Sequence, residues 1–401
     1  MHIIIIGGSF GGLTTAYDLR RLLPRGKHEI TVIASERRFI FIPSLPWVAM
    51  GSKTLDDISF DLERPLKSKG INFINAAVTG INPKTRKLTT DGETYDYDYL
   101  VIATGHRSAN EAVPGLGPFD GPGHSLMSAP EAMEARETLA AFLADPGPMV
   151  IGAAPGASCV GPAYEFLFEV HHALKRRSLA HKAPITFVTP EPFLGHFGVG
   201  GFGKIRQYLE GELEERDVRY HTSAAVSSIT DASVELADGK VFVSQYSLIL
   251  PPLAGIKPVA NAKGLANPKG FIPVDANYRH QDFDNIYAVG VAVAMPPVEE
   301  LPVPVNFPKT GHMTEQMAKI AARNIAADIQ GGAKTSHDLM VECIMDMGDK
   351  GVHIFADPVR PPRNRTSFSS GKRWLMAKKF FSGYYLWKMK RGATRSPKWV
   401  W

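Results

Sequence analysis

Thiols are scarce in this 401-residue chain, which holds two cysteines, Cys159 and Cys343. One pair cannot staple a chain of this length, so the fold does not rest on a disulfide framework or on an oxidising compartment. No run of about 18 apolar residues occurs, which excludes a transmembrane helix. The opening Met1-His2-Ile3-Ile4-Ile5-Ile6-Gly7-Gly8 enters a buried-type strand at once, with no room for a charged region, an apolar region and a cleavage site. No cleavable signal peptide is therefore expected. Acids are missing from one stretch: from Lys372 to Trp401 there are nine Lys or Arg and eight aromatics but no Asp or Glu. What remains is a composition of 44% hydrophobic residues and net charge +5, enough to bury the cores of two or three domains. No metal centre is expected.

The chain repeats itself. Ile3 to Ile6, the turn Gly7-Gly8-Ser9-Phe10-Gly11-Gly12 and the run Leu13 to Leu19 read as strand, tight turn and helix, with the next strand over Glu29 to Ala34. An Asp91-Gly92 hairpin follows Gly7 by 84 residues and leads into the apolar strand Tyr99 to Gly105. The second unit has a strand ending at Gly152, an Asp238-Gly239 hairpin 86 residues later, and the apolar strand Ser247 to Pro252. Asp-Gly between alternating strands is a strong hairpin signal, and matching offsets make coincidence a poor explanation. A strand at Phe283 to Gly290 should rejoin the first unit. A Pro-rich loop over Met295 to Pro308 then leads to a helical pattern from Thr310 to about Ile329.

Three glycine turns, at Gly7 to Gly12, at Thr104-Gly105 and at Gly290, stand in the order of the FAD-binding set of flavoproteins with two dinucleotide-binding domains, and resemble it. The first helix N-terminus would receive a pyrophosphate. Ser9 stands where a second glycine is usual and no acid ends the second strand at Ala34, so Ser35 or Glu36 would have to serve the ribose. The second unit's turn, Gly152-Ala153-Ala154-Pro155-Gly156-Ala157-Ser158, breaks the glycine pattern, which makes NAD(P)H a poor donor. The fold class that follows is α/β, with two nested Rossmann-like domains of the FAD-dependent disulfide-reductase type and a small C-terminal membrane-associating region. The expected divisions are residues 1–115 with 265–330, residues 116–264, and residues 331–401.

The segments Gly156-Ala157-Ser158-Cys159-Val160-Gly161-Pro162-Ala163-Tyr164-Glu165 and Cys343-Ile344-Met345-Asp346-Met347-Gly348-Asp349 resemble the active-site segments of sulfide:quinone oxidoreductases. So do Pro43-Ser44-Leu45-Pro46-Trp47-Val48, Gly195-His196-Phe197-Gly198 and Pro308-Lys309-Thr310-Gly311. The resemblance implies that sulfide is oxidised at a persulfide between Cys159 and Cys343, that electrons pass through FAD, and that a membrane quinone is reduced. A helix start beside Cys159 is expected to lower its thiol pKa. Glu165 and His196 are the acid/base candidates, Pro43, Lys309 and Thr310 would border the flavin, and Ile344 and Phe381 would line the quinone site. Packing alone is the ordinary fate of a free cysteine; two in these motifs favour chemistry. Many relatives carry a third reactive cysteine and a nearby histidine where this chain has Met127 and Glu131.

Basic and aromatic residues at roughly helical spacing after Lys372 describe an interfacial helix, so residues 372–401 are expected to lie on a membrane surface rather than on nucleic acid. The protein is thereby expected at the cell membrane as a peripheral, monotopic enzyme, with sulfide and quinone as partners; a homo-oligomer is compatible with this. Three other readings compete. They are the flavin subunit of a cytochrome-linked sulfide dehydrogenase, an NADH:quinone reductase, and a non-catalytic sulfide-binding flavoprotein.

Overall fold

The computed structural model describes residues 1–394. Arg395, Lys398, Trp399 and Trp401, counted above in the basic and aromatic stretch, lie outside the described residues. Ile3–Ile6 is apolar without alternation, the pattern of a strand covered on both faces. It lies in the middle of a five-stranded parallel sheet, ordered Ile286–Ala288, Tyr99–Ile102, His2–Ile6, Glu29–Ala34 and Asn72–Asn75. Helices Phe10–Leu22 and Gly311–Gln330 pack against each other. Gly11 permits the approach, since a Cβ there would lie 2.9 Å from Val289 Cγ2 and 3.2 Å from Thr314 Cγ2. The Thr310 side chain accepts from the Met313 amide and caps the second of these helices, which ends at Gly331 in a left-handed conformation.

The second unit repeats the plan. Four parallel strands are ordered Arg219–His221, Ile185–Val188, Met149–Ala153 and Tyr246–Leu250. Each unit carries a three-stranded antiparallel meander whose last hairpin is an Asp-Gly turn: Lys87–Thr90 to Thr94–Asp96 in the first, Ser233–Leu236 to Val241–Val243 in the second. In both, the strand after the meander returns to pair beside the strand that opens the unit.

The C-terminal piece is a three-stranded antiparallel sheet, Val341–Asp346, Gly351–Asp357 and Arg365–Gly371, followed by the helix Lys372–Lys390. The helix is two-sided. Its inner face inserts Tyr385 among Phe10, Phe39 and Phe41, with ring centroids 5.1, 6.1 and 5.1 Å away. Tyr385 Oη and Lys388 Nζ donate to Glu315 Oε1 at 2.6 and 3.1 Å, all three residues buried. Lys378 donates to Glu165, and Ser382 Oγ lies 3.1 Å from Ser44 Oγ. This corrects the reading of the whole basic and aromatic stretch as a membrane face: Lys378, Tyr385 and Lys388 point into the protein. Among the described residues no helix is long and apolar enough to cross a membrane.

Glu315 therefore docks the C-terminal helix. Glu315→Ala removes the carboxylate from a buried ammonium and should cost about 3–5 kcal/mol. The loss should appear as a lower denaturation midpoint and faster amide exchange in residues 372–390. Glu315→Gln, which still accepts from Tyr385, should lose less.

Candidate active site

Cys159 lies between the strand Met149–Ala153 and the helix Gly161–Arg176. The loop before it is clamped to the Pro-rich segment: the Gly156 amide donates to Pro304 O at 2.6 Å, Asn306 Nδ2 donates to Gly156 O at 2.6 Å, and the Asn306 amide donates to Ala157 O at 3.0 Å. Cys343 stands on the strand Val341–Asp346. The two thiols come close enough that the charge of Cys343 raises the pKa of Cys159.

That pKa overturns the expectation from the helix start. The Gly161 amide does favour the Cys159 thiolate, but burial, then Cys343, outweigh it and push the thiol up to about 12. Cys343 keeps an exposed face, yet enough protein surrounds it for burial to push it up to about 11, with Lys378 working the other way. A helix terminus contributes a partial charge; loss of water costs more.

Beneath the thiols lies a buried charge cluster. Glu165, one turn into the Cys159 helix, accepts from Lys378, and Trp47 Nε1 donates to Asp346 Oδ2 at 2.8 Å. Lys378 Nζ sits 5.1 Å from the Trp47 ring centre. Burial raises Glu165 above the ordinary glutamate value against the pull of Lys378, and raises Glu169, one turn further on, well above it. Burial works against the Lys378 charge, but Glu165 and Glu169 hold its pKa above the lysine norm. Three carboxylates around one ammonium leave excess negative charge, which together with burial favours the neutral form of Glu169.

The first sheet ends in a cradle that fits FAD. A Cβ on Gly12 would lie 1.8 Å from Gly7 O, and one on Gly7, at φ +110°, would lie 2.2 Å from Ala103 O. The helix Phe10–Leu22 has no acid in its first turn and no side-chain cap from Ser9, so its first amides remain for an anion. Gly8, Thr104 and the left-handed Gly105 and Gly290 border the same strand ends. Lys309 Nζ donates to Val293 O at 2.9 Å, and burial brings its pKa down to about 8. Ser35 and Glu36 are exposed at the end of the strand Glu29–Ala34, and Pro43 is exposed in the short turn Ile42–Ser44. His106, which the sequence reading passed over, is within range of the Lys309 charge and is depressed to about 4, chiefly by burial.

The model of the pyridine nucleotide-disulphide oxidoreductase family matches residues 1–318. The sulfide-quinone reductase of Aquifex aeolicus (strain VF5) is 40% identical over 399 residues, 98% of this chain and 91% of that protein. The chain belongs to the sulfide-quinone reductase family. The X-ray structure of the Aquifex aeolicus sulfide:quinone oxidoreductase superposes with a TM-score of 0.95 at 39% identity, covering 99% of this chain and 93% of that one. The mitochondrial sulfide:quinone oxidoreductase of Dictyostelium discoideum is 25% identical over 306 residues, 73% of this chain and 66% of that protein. Members of the family are FAD-dependent flavoproteins, in keeping with the cradle.

Other sequence candidates fall at different places in this family member. His196 is buried, its Nε2 2.8 Å from Glu299 Oε1 and its Nδ1 accepting from the Gly198 amide at 3.1 Å. Both ring nitrogens are thus engaged, Nε2 in joining the loop to the Pro-rich segment and Nδ1 in bracing the loop itself. Glu131 closes a capping box with Ser128 and accepts from Ser125, Ser108 and the Met127 amide, while Met127 packs on the core. Ile344 is half-buried, and Phe381 packs edge-on against Phe41 at 6.2 Å. Sequence reasoning missed Glu169, Asp346 and Lys378; Trp47 lay inside a recognised motif without an assigned role. It also missed Glu191, after the second strand of the second unit, where an acid could read a nucleotide ribose. Glu191 is instead fully buried and accepts from Tyr164 Oη and Thr189 Oγ1 at 2.8 Å and from the Phe197 amide at 2.7 Å. Burial raises it to about 7, and its hydrogen bonds hold the loop carrying His196.

In fully reduced protein, both thiols should alkylate slowly with iodoacetamide. A thiol at about 12 rather than 9.0 carries about a thousandfold less thiolate at neutral pH. The Cys159 rate should therefore rise about tenfold per pH unit with no plateau below the alkaline limit of folding. Peptide mapping of the adducts checks this; a plateau near neutrality would show an activated thiol.

Proposed function

We propose that this chain oxidises sulfide and reduces a quinone, with Cys159 and Cys343 handling sulfur. The observation that carries the reading is the meeting of the chain's two thiols with a buried carboxylate and ammonium, in a fold whose first sheet ends in a dinucleotide cradle. Hydrosulfide attack on a bridge between the two sulfurs breaks that bond, leaving a persulfide on one cysteine and a thiolate on the other. The thiol with the lower pKa leaves more readily. Cys343, which feels Lys378, is the better leaving group, so the persulfide forms on Cys159. Glu165 takes the proton released from sulfide, and Lys378 offsets the negative charge that develops between them. FAD, when bound, supplies two-electron transfer between this site and the quinone.

The quinone would enter from a membrane surface. The outer side of the C-terminal helix exposes Met376 (71%), Phe380 (64%) and Trp387 (51%), with Ile42 (41%) exposed in the turn beside Phe41. Exposed Lys372, Arg373, Lys379 and Lys390 lie on the same helix, the arrangement of a peripheral helix at an anionic interface, worth about 1 kcal/mol per basic residue. Ile344 and Phe381 would line the quinone pocket between this helix and the C-terminal sheet. In this reading residues 1–115 with 265–330 hold the flavin, residues 116–264 carry Cys159, and residues 331–401 serve quinone and membrane.

Anaerobic sulfide should bleach the flavin and a short-chain quinone should restore it. Cys159→Ser and Cys343→Ser should keep flavin and lose the bleaching; retention of most activity by either would refute the persulfide route. Met376→Glu, Phe380→Glu and Trp387→Glu combined should abolish co-sedimentation with anionic vesicles while leaving sulfide bleaching intact. Continued tight vesicle binding would place the membrane contact elsewhere.

A further inference from the structure

Reduction of one quinone consumes two electrons and two protons, and the groups described so far account for proton release from sulfide only. A second cluster lies next to the expected quinone site. Glu342 and Ile344 alternate onto one face of the strand Val341–Asp346, and His353 is the residue paired with Ile344 across the sheet. His353 Nε2 is 2.7 Å from Glu342 Oε1. The His353 side chain is 10% exposed. Trp374, in the first turn of the C-terminal helix, stacks on it with centroids 4.2 Å apart and planes 11° from parallel. Trp374 Nε1 in turn donates at 2.8 Å to Ser369, the residue opposite His353 on the third strand. A ring held by three elements and bonded to a carboxylate has one orientation, which a proton donor needs and a surface ion pair does not.

We propose that Glu342 and His353 form a relay that delivers one of the two protons to the quinone. The proposal rests on the reading that a quinone is reduced beside Ile344. In the delivering step the Nε2–H bond of the His353 imidazolium, which pairs with the Glu342 carboxylate, breaks; the proton passes to Glu342 and on to the reduced quinone oxygen, where an O–H bond forms, the electrons having come from sulfide. The neutral imidazole then takes a proton from a hydronium ion of the solvent, which restores the pair. The charges around the pair are few. Arg373 lies 5.2 Å from the outer ring of the stack. The charge of Glu342 reaches both His312, at the start of the helix Gly311–Gln330, and Cys343. Lys378 and Glu165 act on Cys343 from its other neighbours.

Anaerobic stopped-flow on flavin-loaded protein separates bleaching by sulfide from re-oxidation by a short-chain quinone, each followed across the neutral pH range. His353→Gln should bleach at the wild-type rate, which also reports a folded protein with bound flavin. Its re-oxidation should be slowed about 100-fold, with a lower kcat, an unchanged KM for quinone, a changed pH profile and partial rescue by added imidazole. Glu342→Gln should slow the same step. Re-oxidation of His353→Gln at the wild-type rate and pH profile would overturn the relay and leave the quinone reading intact. A raised KM with unchanged kcat would also overturn it, in favour of packing. Wild-type protein that sulfide bleaches and quinone does not restore would overturn both.

Discussion

A lysine ammonium taken out of water is tolerated only with carboxylates at hand, and Lys378 is in that position. Its partners lie far apart in the chain: Glu165 and Glu169 on the helix that follows Cys159, Asp346 on the strand that carries Cys343, and the Trp47 ring beside it. Bringing these groups to one ammonium draws together the two elements that carry the thiols and the C-terminal helix. The same cluster holds more acid than base, and burial raises Glu165 against the pull of Lys378. A second buried pair, Glu315 with Lys388, holds the same helix further along.

Burial disfavours the thiolate at both cysteines. A site that excludes water raises a thiol pKa by desolvation, and here that effect exceeds the pull of a helix start and of an ammonium. Such cysteines resist adventitious alkylation and oxidation. The same raised pKa makes each sulfur a poorer leaving group, which Lys378 partly offsets at Cys343.

The two parallel sheets follow one plan and have diverged at their strand ends. In the first, glycines keep the crevice open and the helix N-terminus bare of acids. In the second, Glu191 is turned inward to hold a loop over the strand ends, and that loop meets the Pro-rich segment through His196 and Glu299. The contacts that close one crevice also fix the backbone before Cys159, through Asn306. The second sheet thus carries a backbone segment that the Pro-rich loop fixes just before Cys159.

By itself the sequence determined what depends on near neighbours: the two strand-turn-helix entries, the Asp-Gly hairpins, the return strand at Ile286–Ala288, and the long helix, expected from Thr310 to about Ile329 and found at Gly311–Gln330. It also carried the thiol motifs, because reactive segments are contiguous and their residue types are distinctive. Tertiary structure alone decided which charges are buried. Lys378 and Lys388 look like their basic neighbours in the chain, and Glu169 like any helix acid. The direction of the Cys159 shift was likewise hidden, since a helix start is local while desolvation sums over every element packed around the sulfur. Periodicity and turn chemistry are written along the chain; dielectric environment belongs to the assembled fold.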